Sequence, residues 1–115
     1  MRAIISETPG GPETLDLQQV PDPDLDRKQI LVAIECCSIN FNDVLIIEDK
    51  YQIKPPRPFI PGAEISGIVE SVGSDVGELK PGDRVCGRAI WGGLAEKIAI
   101  DERRCYRLPT EMPLD

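Results

Sequence analysis

The residues able to do chemistry in this chain are defined first by a gap: its 115 residues include no histidine. Imidazole acid–base work and imidazole metal ligation are therefore closed to it. Four cysteines remain, Cys36, Cys37, Cys86 and Cys105, and none forms a C-x-x-C pair. Structural zinc sites take four Cys or His ligands, usually from closely spaced pairs. Cys36 and Cys37 are adjacent, and adjacent side chains on a strand point to opposite faces. The thiols read as ordinary groups in a reducing compartment, with no metal. Carboxylate, amide, phenol and indole are left to handle protons and hydrogen bonds. Those that sit at the ends of elements or beside turns are Asn40, Asp43, Tyr51, Glu64 and Trp91.

Spacing gives each a setting. Asn40 precedes Asp43 by three positions, a variant capping box with Asp in place of Glu or Gln. It predicts a short helix from Phe41 to Glu48, with Phe41, Val44, Leu45 and Ile47 as its apolar stripe. Capping alone accounts for Asn40 and Asp43. Tyr51 follows this helix and precedes a stiff loop with prolines at 55, 56, 58 and 61. A phenol there can donate a hydrogen bond and stack on a flat ring, or simply pack on Pro55 and Pro56. Glu64 follows the turn Pro61-Gly62-Ala63, and Trp91 stands beside Gly92-Gly93.

The elements that must position these groups are mostly strands. With 11 prolines and 10 glycines, the chain favours turns and short elements over a helical bundle. Strands are expected at Arg2 to Ser6, Leu15 to Val20, Ile30 to Ser38, Glu64 to Val72, Arg84 to Gly87, Leu94 to Ile100 and Tyr106 to Leu108. In the strongest, Ile30, Val32, Ile34 and Cys36 alternate with Leu31, Ala33, Glu35 and Cys37, both faces being largely apolar. Gly67 inside its strand signals a bend or a close backbone approach. Lys80-Pro81-Gly82-Asp83 carries type II turn chemistry. Short strands with turns every 8–12 residues or so indicate a mainly β barrel or sandwich in one domain.

Charge and hydropathy exclude other classes. The net charge is −7 with no basic stripe, which argues against nucleic-acid binding. The longest aliphatic stretch, Ile30 to Ile34, is far too short for a membrane span of ~20 residues. The N-terminus lacks a signal-peptide apolar region, so a cytoplasmic location is expected.

Five motifs stand in a fixed order: Cys37-Ser-Ile-Asn-Phe-Asn-Asp43, Pro58-Phe-Ile-Pro-Gly-Ala-Glu64, Ile65-Ser-Gly-Ile-Val-Glu-Ser-Val-Gly73, Lys80-Pro-Gly-Asp-Arg-Val85 and Gly92-Gly-Leu-Ala-Glu96. Together they resemble the N-terminal GroES-like domain of the medium-chain dehydrogenases and reductases, and within it the zinc-free quinone oxidoreductase branch. The resemblance runs from Met1 to Pro113 and implies a partly open β-barrel with one or two short helices. The zinc-dependent branch places a Cys ligand where this chain has Asn40 and a His ligand where it has Ala63. Neither replacement is a useful zinc ligand.

The resemblance also implies an activity: hydride transfer from NADPH to a quinone or activated alkene. It implies that Asn40, with Phe41 beside it, meets the nicotinamide end of the cofactor and that Tyr51 lines the active site. Asp43 is the candidate proton-relay acid, and Glu64 and Trp91 are candidates for the substrate cleft. The Rossmann-type domain that holds NADPH in such proteins has no counterpart in residues 1–115, so the chain reads as the substrate-side part of a larger enzyme, inactive alone. The larger enzyme is expected to be a homodimer. Alternatives are a 2-enoyl-thioester reductase of the same superfamily and a non-catalytic GroES-like binding or assembly module.

Overall fold

A computed structural model describes all residues from Met1 to Asp115. Seven strands form two antiparallel sheets: β1 (Arg2–Ser6), β2 (Leu15–Gln19), β3 (Gln29–Ser38), β4 (Glu64–Val72), β5 (Arg84–Arg88), β6 (Lys97–Asp101) and β7 (Cys105–Arg107). One α-helix, α1 (Phe41–Ile47), follows β3, and 3-10 turns at Pro12–Thr14 and Glu102–Arg104 precede β2 and β7. The β1–β2 hairpin is one sheet; the other has the order β6-β3-β4-β5-β7. Its outer strands do not pair with each other, so the barrel is partly open, as expected. Single bridges at Ala3–Ala95 and Ser6–Phe59 dock the hairpin onto the rest.

The core lies under the larger sheet. Ile30 and Val32 of β3 meet Ile65 and Val69 of β4, Val85 of β5, and Ile98 and Ile100 of β6. Burying each such side chain contributes about 1.5–3 kcal/mol. A second cluster, Ile46, Ile47 and Phe59, seats α1 against the proline-rich loop. Arg57 fixes that loop: its guanidinium donates to the Ser6 hydroxyl and to the Ile47 carbonyl (3.1 Å) and lies 5.0 Å over the Phe59 ring.

Three expectations need correction. The strand expected over Leu94 to Ile100 begins only at Lys97. The preceding residues bond elsewhere, Leu94 N–H to the Pro61 carbonyl and Glu96 N–H to the Arg2 carbonyl. Phe41 is not in the helix's buried stripe but 74% exposed. The buried face is Asp43, Ile46 and Ile47, and Phe41 lies two positions, about 200° of helical rotation, from Asp43.

The third correction concerns β3. Ile34 pairs with Gly67, but Cys36 pairs with Ser66, leaving Glu35 as an extra residue in a β-bulge. The bulge inverts the alternation. Before it, Ile30 and Val32 face the core; after it, Cys37 packs on the core while Cys36 and Ser38 line the opposite face. Cys36 therefore does not continue the face of Ile30, Val32 and Ile34. Gly67 permits this kink: a Cβ there would stand 2.1 Å from the Ala33 carbonyl oxygen.

Candidate functional site

The face turned up by the bulge is built from two cross-strand rows. Register places Ser38 opposite Glu64 and Glu64 opposite Arg88. Two residues along, Cys36 lies opposite Ser66, Ser66 opposite Cys86, and Cys86 opposite Tyr106. Because strand side chains alternate, both rows project to one side. They form the floor of a cleft of about 390 Å³. Leu114 and Asp115 close one edge, where the Ser66 hydroxyl donates to the Leu114 carbonyl.

Asn40 caps α1 beside this floor. Its side-chain nitrogen donates to Ser38 Oγ (3.1 Å) and Glu64 Oε2 (3.1 Å), and Ser38 Oγ donates to the same carboxylate oxygen at 2.9 Å. This triangle fixes the amide plane. Glu64 thus accepts hydrogen bonds and enters no salt bridge; neither does Arg88, its cross-strand partner. Ile39 and Phe41, on either side of Asn40, are both exposed and apolar.

Asp43 lies beneath. It is 5% exposed, and its Oδ2 accepts the Asn40 backbone N–H at 2.8 Å, the carboxylate half of the expected box. Its Oδ1 is buried with no hydrogen-bond partner. Burial, with the charges of Asp43 and Glu64 adding to it, pushes the Cys37 thiol up to about 11. Burial likewise raises Cys105 to about 12, with Cys86 and Asp101 contributing.

Asn40, Asp43 and Glu64 therefore converge, with Phe41 at their margin. Tyr51 and Trp91 make no side-chain hydrogen bond to them and do not line the cleft floor. Tyr51 is half-buried against the cluster of Ile46, Ile47 and Phe59. Trp91 lines two other depressions, one with Phe59 and Ile60, the other with Ile90 and Ala99. Ser38, Arg88 and the cleft thiols were not singled out from sequence. For Ser38 the signal was available, two residues before a helix cap at a strand end; for Arg88 only strand register reveals the neighbour.

The residues present do not suit a metal: nowhere do three or more His, Cys, Asp or Glu side chains gather in a metal-holding group. They suit a flat ring bearing an amide. Such a ring needs a fixed polar group beside apolar surface, which Asn40 between Ile39 and Phe41 provides.

Residues 26–110 match the family described as alcohol dehydrogenase GroES-like domain. A quinone oxidoreductase of Rattus norvegicus is 40% identical over 113 residues, which are 95% of this chain and 34% of that protein. Among solved structures, Escherichia coli quinone oxidoreductase complexed with NADPH superposes with a TM-score of 0.93 at 31% identity, covering 99% of this chain and 35% of that one. The human synaptic vesicle membrane protein VAT-1 homolog-like protein superposes at 0.94 with 29% identity, covering 99% and 37%. The chain spans about a third of the length of each.

Proposed function

Because the chain belongs to the alcohol dehydrogenase GroES-like domain family, on the quinone oxidoreductase branch of the medium-chain dehydrogenases and reductases, we propose that it is the substrate-side domain of an NADPH-dependent, zinc-independent reductase of quinones or activated alkenes. The observation that carries this reading is the Asn40 amide, held by Ser38 and Glu64 beside a cleft and flanked by exposed Ile39 and Phe41.

NADPH, bound chiefly by a Rossmann-type domain outside residues 1–115, supplies the hydride. This chain's residues position and screen. Asn40 offers its fixed amide to the cofactor's carboxamide, and Phe41 and Ile39 cover the ring's edge from water. Asp43 acts through Asn40, holding its backbone N–H. Tyr51 donates a hydrogen bond as negative charge develops on the substrate oxygen. Support for that role is a ring fixed by Ile46, Ile47 and Phe59. The parent enzyme is a cytoplasmic homodimer on this reading. No helix of the chain is long and apolar enough to cross a membrane.

The test is NADPH oxidation by the full-length protein bearing this domain, against a small quinone and an enoyl thioester. Faster turnover of the quinone supports the proposal. Turnover of the thioester alone redirects it to the enoyl-reductase alternative, and turnover of neither overturns it.

A further inference from the structure

We propose that Cys36 and Cys86 form a covalent site for soft electrophiles of the activated-alkene class, quinones and enones, on the cleft floor. The bulge at Glu35 brings Cys36 onto this floor, and Ser66 separates it from Cys86 in the same cross-strand row. Neighbouring strands lie about 4.8 Å apart, so the two backbones are roughly 10 Å apart. A disulfide needs Cα atoms within about 7 Å. The two thiols therefore cannot consume each other, and both remain available to a ligand in the cleft.

The surroundings suit a flat, carbonyl-bearing electrophile. Tyr106, 71% exposed, ends the row and offers an aromatic face. Arg88, free of any ion pair, stands on the adjacent row, lines the same cleft as the carboxylates of Glu64 and Asp115, and offers its guanidinium N–H groups to an enolate oxygen. The other two cysteines are built differently. Cys37 and Cys105 pack against the core, and burial keeps their thiols protonated.

The step is a conjugate addition. The thiol loses its proton to solvent and sulfur attacks the β-carbon of the alkene. A C–S bond forms, the C=C π pair moves onto the carbonyl as an enolate, and the enolate takes a proton from water. With a quinone, a further proton shift leaves a thioether-substituted hydroquinone; the ring is reduced by the addition itself, and no external oxidant or reductant enters. The site shares its cleft with the proposed reductase chemistry but needs neither hydride nor NADPH, so the two readings fail separately.

The test treats the folded chain, without NADPH, with limiting N-ethylmaleimide at neutral pH. Adducts are located by mass spectrometry, with fragment-level separation of adjacent Cys36 and Cys37. Cys36 and Cys86 are expected to react at least about tenfold faster than Cys37 and Cys105, with the difference lost in urea. Equal rates at all four cysteines in the folded chain, or earlier reaction at Cys37 or Cys105, overturns the proposal. A parallel run with iodoacetamide separates a shaped cleft from mere exposure. The maleimide-to-iodoacetamide rate ratio at Cys36 and Cys86 should exceed that of the unfolded chain several-fold, and an unchanged ratio overturns the cleft's part. Arg88→Leu should slow adduct formation several-fold without altering circular dichroism; an unchanged rate removes Arg88 from the site.

Discussion

Asn40 donates its side-chain N–H to Glu64 Oε2 at 3.1 Å, joining the cap of α1 to the first residue of β4. Ser38 bonds both partners. The three are partly solvated, so the triangle orients more than it stabilises. Glu64→Gln should cost less than about 1 kcal/mol in urea unfolding. In the full-length protein it should raise KM for NADPH several-fold while kcat changes less. A KM equal to wild type would remove the triangle from cofactor positioning.

Asp43 is a buried carboxylate with one oxygen bonded and one not. Asp43→Ala removes the carboxylate half of the cap and leaves the Asn40 N–H unpaired, which should cost about 1–3 kcal/mol. Asp43→Asn keeps an acceptor for that N–H and carries no charge into the interior, so it should lose much less. Equal losses in urea denaturation would show that packing, not the hydrogen bond, holds the helix start.

Arg57 ties β1, the end of α1 and the Phe59 ring together. Lysine reproduces its charge but not its planar fork. Arg57→Lys should therefore lower stability nearly as much as Arg57→Met, by about 2 kcal/mol. Full rescue by lysine would reduce the residue's role to charge.

Stability should fall at both ends of the pH scale. The Arg103 side chain, and then its backbone N–H, hold Asp101 down at about 2 from an ordinary 3.8. A depressed carboxylate contributes stability above its unfolded value and loses it as pH falls toward its folded one. Lys97 lowers Asp22, and Arg2 lowers Glu96, in the same direction. These exposed groups make the acid decline gradual. At the alkaline end Cys37 and Cys105 stand at about 11 and 12 against an ordinary 9.0. Their contribution is complete below 9.0 and is lost as pH rises through the folded values. Urea midpoints should be flat around neutrality, decline below about pH 4, and decline above about pH 9; Cys37→Ala combined with Cys105→Ala should flatten the alkaline limb.

Local signals were legible in the sequence and pairing signals were not. Arg2–Ser6 and Glu64–Val72 stand where alternation and flanking turns put them. The Asn40–Asp43 spacing announced the start of α1, since a cap is decided within one turn of chain. Gly67 announced its close approach to Ala33. The facing of Cys36 and Cys37 was hidden, because a bulge is settled by the partner strand and not by the bulged one. Arg88 was hidden for the same reason: only register brings it beside Glu64. No local signal places Tyr51 and Trp91: Tyr51 packs on the cluster of Ile46, Ile47 and Phe59, and Trp91 lines two depressions away from the cleft floor, settings that only the tertiary fold decides.

The extra residue at Glu35 gives β3 two separate obligations along its length. Positions before it answer to the interior, and positions after it answer to the open face. Sequence drift can therefore proceed in the two halves under different constraints. Ile30 and Val32 can exchange among aliphatic residues without disturbing the floor, and Cys36 and Ser38 can be recruited to new uses without loosening the interior. Loss of Glu35 alone would leave a regular strand with Cys36 still opposite Ser66 and Cys37 still opposite Ile65, whereas one residue added or lost between Cys36 and Ser38 would turn Ser38 to the other face. A one-residue change of length is thus absorbed at the bulge and is most consequential on either side of it.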